Sequence, residues 1–132
     1  SFRTVKRVIK SMMRKKKGRI VLISSVVGLY GSPGQVNYAA SKSGLIGIAR
    51  ALTRELGSRG ITANVVAPGY IDTEMTQSLS EELQASYRKA IPAGRFADPV
   101  EVAKAVTFLA SDDAAYISGA VIPVDGGLGM GH

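Results

Sequence analysis

The chain has 132 residues, 45% of them hydrophobic, and its 17 Lys and Arg outnumber 10 Asp and Glu to give a formal charge of +7. That length fits one domain or less, and no apolar run approaches the ~20 residues of a membrane-spanning helix. With no cysteine and one histidine, the terminal His132, disulfides and thiol catalysis are excluded, Ser–His–Asp catalysis and a metal site are disfavoured, and a cytosolic setting fits.

The basic N-terminus runs into a helix-period pattern rather than a signal peptide. Residues 2–17 place Phe2, Val5, Val8, Ile9, Met12 and Met13 at helical spacing, with Gly18 as the stop signal. Residues 19–25 form a continuous apolar run, the pattern of a buried parallel strand. Residues 28–35, rich in Gly, Ser and Pro, predict a turn region over the carboxyl end of that strand. A helix is predicted from Val36 to Gly57, with Tyr38, Lys42, Leu45, Ala49, Leu52 and Leu56 on one stripe. Ala40, Gly44, Gly47 and Ala51 make a second, small-residue stripe on which another helix could approach closely. Ile61 to Ala67 reads as a strand closed by Pro68 and Gly69.

Residues 72–92 are polar, with Met75, Leu79, Leu83 and Tyr87 spaced for a short amphipathic helix starting near Ser80. Asp98-Pro99-Val100-Glu101 carries a cap, a proline at the first helical position and a capping-box glutamate. The helix to Ala110 turns Val102, Val106 and Leu109 to the core. Asp112 and Asp113 read as a solvated turn, Tyr116 as a core residue, and Ala120 to Val124 as the last strand.

Charge is divided unevenly. Residues 1–50 hold eleven Lys and Arg and no acid, whereas residues 51–132 hold six basic and ten acidic residues. Such asymmetry points to an acidic partner. Nucleic acid fits poorly, because no aromatic platform interleaves the Arg14–Lys17 run. The run is also what a solvated helix C-terminus looks like, where cations favour the dipole.

Tyr38 and Lys42 stand four residues apart on one predicted helix, with Ser25 thirteen residues before Tyr38. Residues at that helical spacing share a face. An ammonium so close favours the phenolate and makes the phenol a better proton donor. A serine hydroxyl at the end of the preceding strand could hold a carbonyl oxygen for that proton. Alone, Y-x-x-x-K is common on surface helices; its neighbours make it informative. Gly18-Arg19-Ile20-Val21-Leu22-Ile23-Ser24-Ser25, Asn37-Tyr38-Ala39-Ala40-Ser41-Lys42, Asn64-Val65-Val66-Ala67-Pro68-Gly69 and Val124-Asp125-Gly126-Gly127 follow in order.

Together these blocks resemble the short-chain dehydrogenase/reductase family, and within it the 3-oxoacyl-[acyl-carrier-protein] reductases. The ending Gly127 to His132 looks like the actinobacterial, mycolate-pathway members. The resemblance implies an α/β, Rossmann-type doubly wound parallel sheet, here its C-terminal half, with three strands and flanking helices. It implies NADPH-dependent reduction of a 3-oxoacyl group on acyl carrier protein, in fatty-acid biosynthesis. Ser25, Tyr38 and Lys42 would be catalytic; Tyr38, Lys42, Pro68, Gly69, Ile71 and Thr73 would meet the cofactor. Gln35, Tyr70 and Met75 join Ser25 as substrate candidates, with Met75 and Leu79 on a substrate lid. Lys15, Lys16, Lys17, Arg19 and Arg59 are candidates for docking the carrier protein. Helices 2–17 and 36–57 would pair subunits into dimers or tetramers, although the small-residue stripe could instead pack within the subunit.

Family members run to about twice this length and carry a glycine-rich dinucleotide loop in their first half. No such loop precedes a helix here, and the Gly126 to Gly131 stretch has no helix after it. The resemblance also implies an asparagine, in the helix before the Ser25 strand, that takes part in a proton relay; by register it falls just before Ser1. Residues 1–132 are thus expected to be the C-terminal catalytic half of one reductase domain, inactive by itself. Two other readings stay open: a reductase of acyl-CoA, quinone, steroid or sugar carbonyls, and a non-catalytic interaction module.

Overall fold

A computed structural model describes residues 1–130; the end of the Gly127–His132 run and the single histidine lie outside them. Three strands, β1 (Gly18–Ile23), β2 (Ile61–Pro68) and β3 (Val121–Val124), form one parallel sheet in the order β1-β2-β3. Gly18 pairs with Ile61 and Ile23 with Val66, and Val65 pairs with Val121. Parallel neighbours need crossover connections. A long helix, α3 (Val36–Leu56), links β1 to β2, and α6 (Pro99–Ala110) precedes β3. Helix α1 (Phe2–Lys15) leads into β1.

Helices cover both faces. Side chains alternate along a strand, so Ile20, Leu22, Ile61, Ala63 and Val65 meet Val5 of α1 and Leu45, Ala49 and Leu56 of α3 in one core cluster. The opposite face sets Val66 with Leu109 of α6 and Ala114, flanked by Val21, Val102, Val106 and Ile122. Strand β2, central and covered on both sides, is buried from Ile61 to Ala67. This is the expected doubly wound parallel sheet with three strands.

Several local expectations change. Helix α1 ends at Lys15 rather than running to Gly18: Lys16 turns left-handed (φ 51°), and the Lys16 and Lys17 amides close back on Met13 and Met12. That Schellman-type closure satisfies the last carbonyls, so Gly18 opens the strand, its bare Cα against the Met12 side chain. The 28–35 turn region contains a short helix, α2 (Val27–Tyr30), and the lid region gains another, α4 (Glu74–Gln77), before α5 (Glu81–Ala90). Single helical turns carry too little periodicity to be read from sequence. Tyr116, expected in the core, is fully exposed; it follows the 3-10 turn Asp112–Ala114, where the small Ala114 takes the buried position instead. Asp112 and Asp113 are exposed in that turn, as expected; Asp112 also binds Lys17 at 2.9 Å and Arg19 at 3.2 Å, and those cations hold its carboxyl below the usual range.

The start of α6 forms as its sequence dictates. Asp98 accepts from the Val100 amide, and Glu101 returns to the Asp98 amide while taking two bonds from Arg95. The Arg95 pair and that amide lower the Glu101 pKa to about 2 from its ordinary 4.5. The cap is therefore intact above pH 4.5 and lost as pH falls toward 2.

Buried Asn64 ties β2 to the turn before β3, donating to the Ile117 carbonyl (2.8 Å) and accepting from the Ala120 amide (3.0 Å). Nearby, the Thr62 hydroxyl is buried without a partner among the described residues. The two sites predict opposite results in urea unfolding. Asn64→Leu strands two backbone groups and should cost about 2–4 kcal/mol, whereas Thr62→Val should be neutral or stabilising by up to about 1 kcal/mol.

Candidate active site

The carboxyl ends of parallel strands are where open α/β sheets bind ligands, and there the chain gathers its chemistry. Beyond Ile23 the β1 backbone continues beside β2: the Ser24 amide donates to Val66 and the Val26 amide to Pro68. Ser25, between them, is nearly buried, and its Oγ accepts from the Val27 amide at 3.2 Å. Helix α3 is fastened to this segment at Lys42. Ser24 Oγ donates to the Lys42 carbonyl (2.9 Å), and Ser43 Oγ donates to the Gly28 carbonyl (2.6 Å). A Cβ on Gly28 would lie 2.8 Å from Ser24 Oγ and 2.9 Å from Lys42 Cβ, so only glycine lets α2 and α3 come this close.

The clamp aims the Lys42 side chain back over the strand end. Its Nζ donates to the Ile23 carbonyl at 3.0 Å and stands 5.6 Å from the centre of the Tyr38 ring, which is 44% exposed. Lysine has three donors, so the ammonium can hold that carbonyl and still donate outward. Tyr38 and Lys42 thus sit one turn apart on α3, with the ammonium at the strand end that leads into Ser25. Gln35, at the N-cap of α3, is exposed.

The loop after β2 builds a second wall. Gly69 donates to the Val124 carbonyl, and a Cβ there would strike Asp125 Cβ at 2.8 Å, so the loop is pressed against the end of β3. Ile71 bridges to Ala97, flanked by bonds from the Ala97 amide to Tyr70 and from the Asp72 amide to Ala97. The Ile71 carbonyl already accepts from Thr76 Oγ1 at 2.7 Å, and the Thr73 amide donates to the same hydroxyl at 2.8 Å. Tyr70 stacks on Tyr87. Burial, then Tyr87 and Tyr30, push its pKa up to about 12. Met75 on α4 is exposed.

The basic candidates divide between two grooves: Lys16, Lys17 and Arg19 line one together with Asp112, and Arg59 lines the other. Lys17 and Arg19 are paired with Asp112, and the Arg19 side chain is only 13% exposed. Its guanidinium also serves the Gly18, Gly60 and Ser111 carbonyls. Lys15, Lys16 and Arg59 are exposed, and Arg59 shares a groove of about 330 Å³ with Lys10, Met13 and Arg14. A larger cleft of about 470 Å³, lined by Lys16, Arg19, Thr62 and Tyr116, opens at the amino ends of the strands, away from Ser25 and Tyr38.

Sequence reasoning missed Ser24, Ser43 and Gly28 as the clamp, and Tyr87 and Phe96 as partners of Tyr70. One signal was available. Successive strand residues point to opposite faces, so Ser24 and Ser25 could not serve the same purpose.

Fold and site define a Rossmann-type α/β protein whose polar side chains converge on the carboxyl ends of its strands. Comparison with known proteins narrows that class. A family profile described as "Enoyl-(Acyl carrier protein) reductase" matches residues 1–129. All 132 residues align at 59% identity with 52% of the 3-oxoacyl-[acyl-carrier-protein] reductase MabA of Mycobacterium avium. FabG of Escherichia coli, a 3-oxoacyl-[acyl-carrier-protein] reductase, is 54% identical over 129 residues, 98% of this chain and 53% of its own length. A crystal structure of the 3-oxoacyl-[acyl-carrier protein] reductase from Brucella melitensis superposes with a TM-score of 0.95 at 37% identity, over 98% of this chain and 49% of that one. The chain belongs to the short-chain dehydrogenase/reductase family. It spans about half the length of the curated relatives it matches.

The clamp predicts a distinct phenotype. In a full-length protein carrying this chain, Gly28→Ala should displace Lys42 and lower any turnover that depends on its ammonium by about 100-fold, as ångström-scale misplacement does. Far-ultraviolet circular dichroism should stay unchanged, and turnover near the parent level would show that α3 tolerates the shift.

Proposed function

We propose that this chain is the catalytic half of a reductase that converts a 3-oxoacyl thioester on acyl carrier protein to the 3-hydroxyacyl form, with NADPH as reductant, in the cytoplasm. The observation that carries the reading is the Lys42 ammonium, held between the Ile23 carbonyl and the Tyr38 ring at the strand end beside Ser25. Enoyl reduction, the chemistry in the family profile's description, is the less favoured substrate class. The relatives at 54% and 59% identity are both 3-oxoacyl reductases, and a ketone is what a phenol with a neighbouring hydroxyl is equipped to protonate.

In this reading Ser25 Oγ donates a hydrogen bond to the ketone oxygen and orients it. Tyr38 donates its phenolic proton to the same oxygen as the carbonyl becomes an alcohol. Lys42 stabilises the negative charge left on the ring and keeps donors for a ribose hydroxyl. The hydride for the ketone carbon would come from a nicotinamide held at the turn of residues 68–73. The residues present fit the nicotinamide end of that cofactor: Gly69 gives the loop a close backbone approach, and Pro68, Ile71 and Thr73 line the turn. The Ile71 carbonyl is already engaged by Thr76, which leaves its amide as the contact for a carboxamide. No G-x-x-x-G-x-G or G-x-G-x-x-G turn opens a helix within the described residues to hold the pyrophosphate; the Gly31 and Gly34 turn before α3 lacks that spacing. That function falls to the portion of the relatives this chain does not span.

Surface features support two partners. Lys15, Lys16 and Arg59, with Lys10 and Arg14 near them, present the charge for an acidic carrier protein; Lys17 and Arg19 are less suited, being committed to Asp112. Gly44 and Gly47 of the small-residue stripe face open space, so no part of the described chain packs on them. A second copy of α3 could.

Two experiments decide the reading in the full-length protein. Tyr38→Phe should cut turnover by a factor on the order of 100 to 10,000, the usual worth of a general acid; near-parental activity would remove Tyr38 from that role. Charge reversal of Lys15, Lys16 and Arg59 should raise KM for the carrier-bound substrate and spare a small free ketone. Equal loss on both would sink the docking surface.

A further inference from the structure

Ile71 carries its proposed cofactor contact on the backbone, so that contact depends on where the loop after β2 is held. Two ties flank the residue. On one side, Thr76 Oγ1 donates to the Ile71 carbonyl at 2.7 Å. On the other, the Ala97 amide donates to the Tyr70 carbonyl at 3.1 Å, and the Asp72 amide donates to the Ala97 carbonyl at 2.8 Å. Those two bonds make one isolated bridge rather than a ladder. The Ile71 amide takes part in neither tie.

Packing adds little at the bridge. Gly69 rests on Asp125, but beyond it a cavity of about 90 Å³ opens behind the loop, lined by Tyr70, Ala97, Arg95, Glu101, Asp125 and Gly126. A single bridge beside a void holds a position only if its far side is itself rigid. Arg95 supplies that rigidity. Its guanidinium donates to both carboxylate oxygens of Glu101, at 2.7 and 2.8 Å, and to the Phe96 carbonyl at 3.1 Å. Glu101 in turn accepts the Asp98 amide at 2.8 Å, so the residues on both sides of Ala97 are tied to the first turn of α6. A forked pair of this kind fixes geometry as well as charge. With its pKa lowered to about 2, Glu101 stays ionised throughout the neutral range, and the fork persists there.

We propose that Arg95 is a positioning residue for the nicotinamide cofactor: by binding Glu101 and the Phe96 carbonyl it fixes Ala97, and Ala97 fixes the loop that presents the Ile71 amide. The inference rests on the reductase reading above. Arg95 acts through two peptide units rather than by touching the cofactor. Untied, the loop spends part of its time away from the binding position, and affinity falls by that fraction. Only the nicotinamide end of the cofactor feels the loss, because the adenosine end is held by none of these groups.

The test uses a full-length protein carrying this chain, with Arg95→Met and, as a control for simple loss of helix stability, Asp98→Ala. The control removes the Val100 cap bond and leaves the Arg95 fork in place. Hydrogen–deuterium exchange is read without cofactor at residues 68–73 and 94–98. Fluorescence titration gives Kd for NADPH, and calorimetry gives Kd for adenosine 2′,5′-bisphosphate, which has the adenosine end of the cofactor and no nicotinamide. A solvent-facing ion pair shifts a local equilibrium by roughly two- to fivefold. Arg95→Met should speed exchange in both segments by about that factor and raise Kd for NADPH by roughly two- to fivefold. Its Kd for the bisphosphate should stay at the parent value. Asp98→Ala should lower Tm and keep the parent affinity for NADPH. Unchanged exchange in Arg95→Met, equal weakening of both ligands, or the same NADPH loss in Asp98→Ala would overturn the proposal. A parent that binds no NADPH would overturn the reductase reading and this role with it. Failure of the present inference alone shows instead as a parent that binds NADPH and an Arg95→Met variant that binds it equally well.

Discussion

The site depends on how tightly α3 is fastened to the end of β1. Two serine hydroxyls, one lysine ammonium and one missing Cβ make the joint: Ser24 and Ser43 bind backbone carbonyls across it, Lys42 binds Ile23, and Gly28 removes the atoms that would hold the segments apart. Hydrogen bonds to a carbonyl from a charged donor are stronger than neutral ones, and here the charge belongs to the Lys42 ammonium that the proposed reduction uses. The same contact that fixes the helix therefore fixes the orientation of the Lys42 side chain. A helix docked by apolar contacts alone could slide or rotate by fractions of an ångström; one also pinned at both faces of residue 42 has much less freedom.

The sheet explains why the joint can be rigid. Strand β2 is buried along nearly its whole length and is the partner of both other strands. Its carboxyl end carries the Pro68–Ile71 loop, so the two walls of the site grow from adjacent strands of one ladder. Strand β1, at the edge, has its outer side unpaired among the described strands. An open edge of that kind is ordinarily covered or paired, in keeping with relatives that are about twice as long as this chain.

Much of this was legible from residue order alone, for identifiable reasons. The continuous apolar run of β2 announced a strand buried on both faces, whereas the run of β1 gave one that is fully buried only at alternate residues, and Asp98-Pro99-Val100-Glu101 announced its helix because every group needed for the cap is local. Tyr38 and Lys42 were legible because helical spacing places them without knowledge of the rest. What escaped was nonlocal. Ser24 and Ser43 acquire their roles only when β1 and α3 meet, the stack of Tyr70, Tyr87 and Phe96 joins three separate segments, and Asn64 works across the turn to β3. Tyr116 failed for a related reason: the bulk of an aromatic ring suggests burial, but the 3-10 turn sets Ala114 inward in its place. The basic run was misjudged in part because Asp112, which neutralises Lys17 and Arg19, lies over ninety residues away.

The turn after β3 has a reach that its position near the chain's end conceals. Asp125 gathers the Gly127 and Gly129 amides onto its two carboxylate oxygens, and its own Cβ rests against Gly69. The loop that walls the site is thus braced from behind by a residue with no place in the chemistry. Sequence drift in the last few residues is consequently not neutral padding: the backstop and the wall have to change together, and Asp125 and Gly69 should behave in evolution as one unit rather than two.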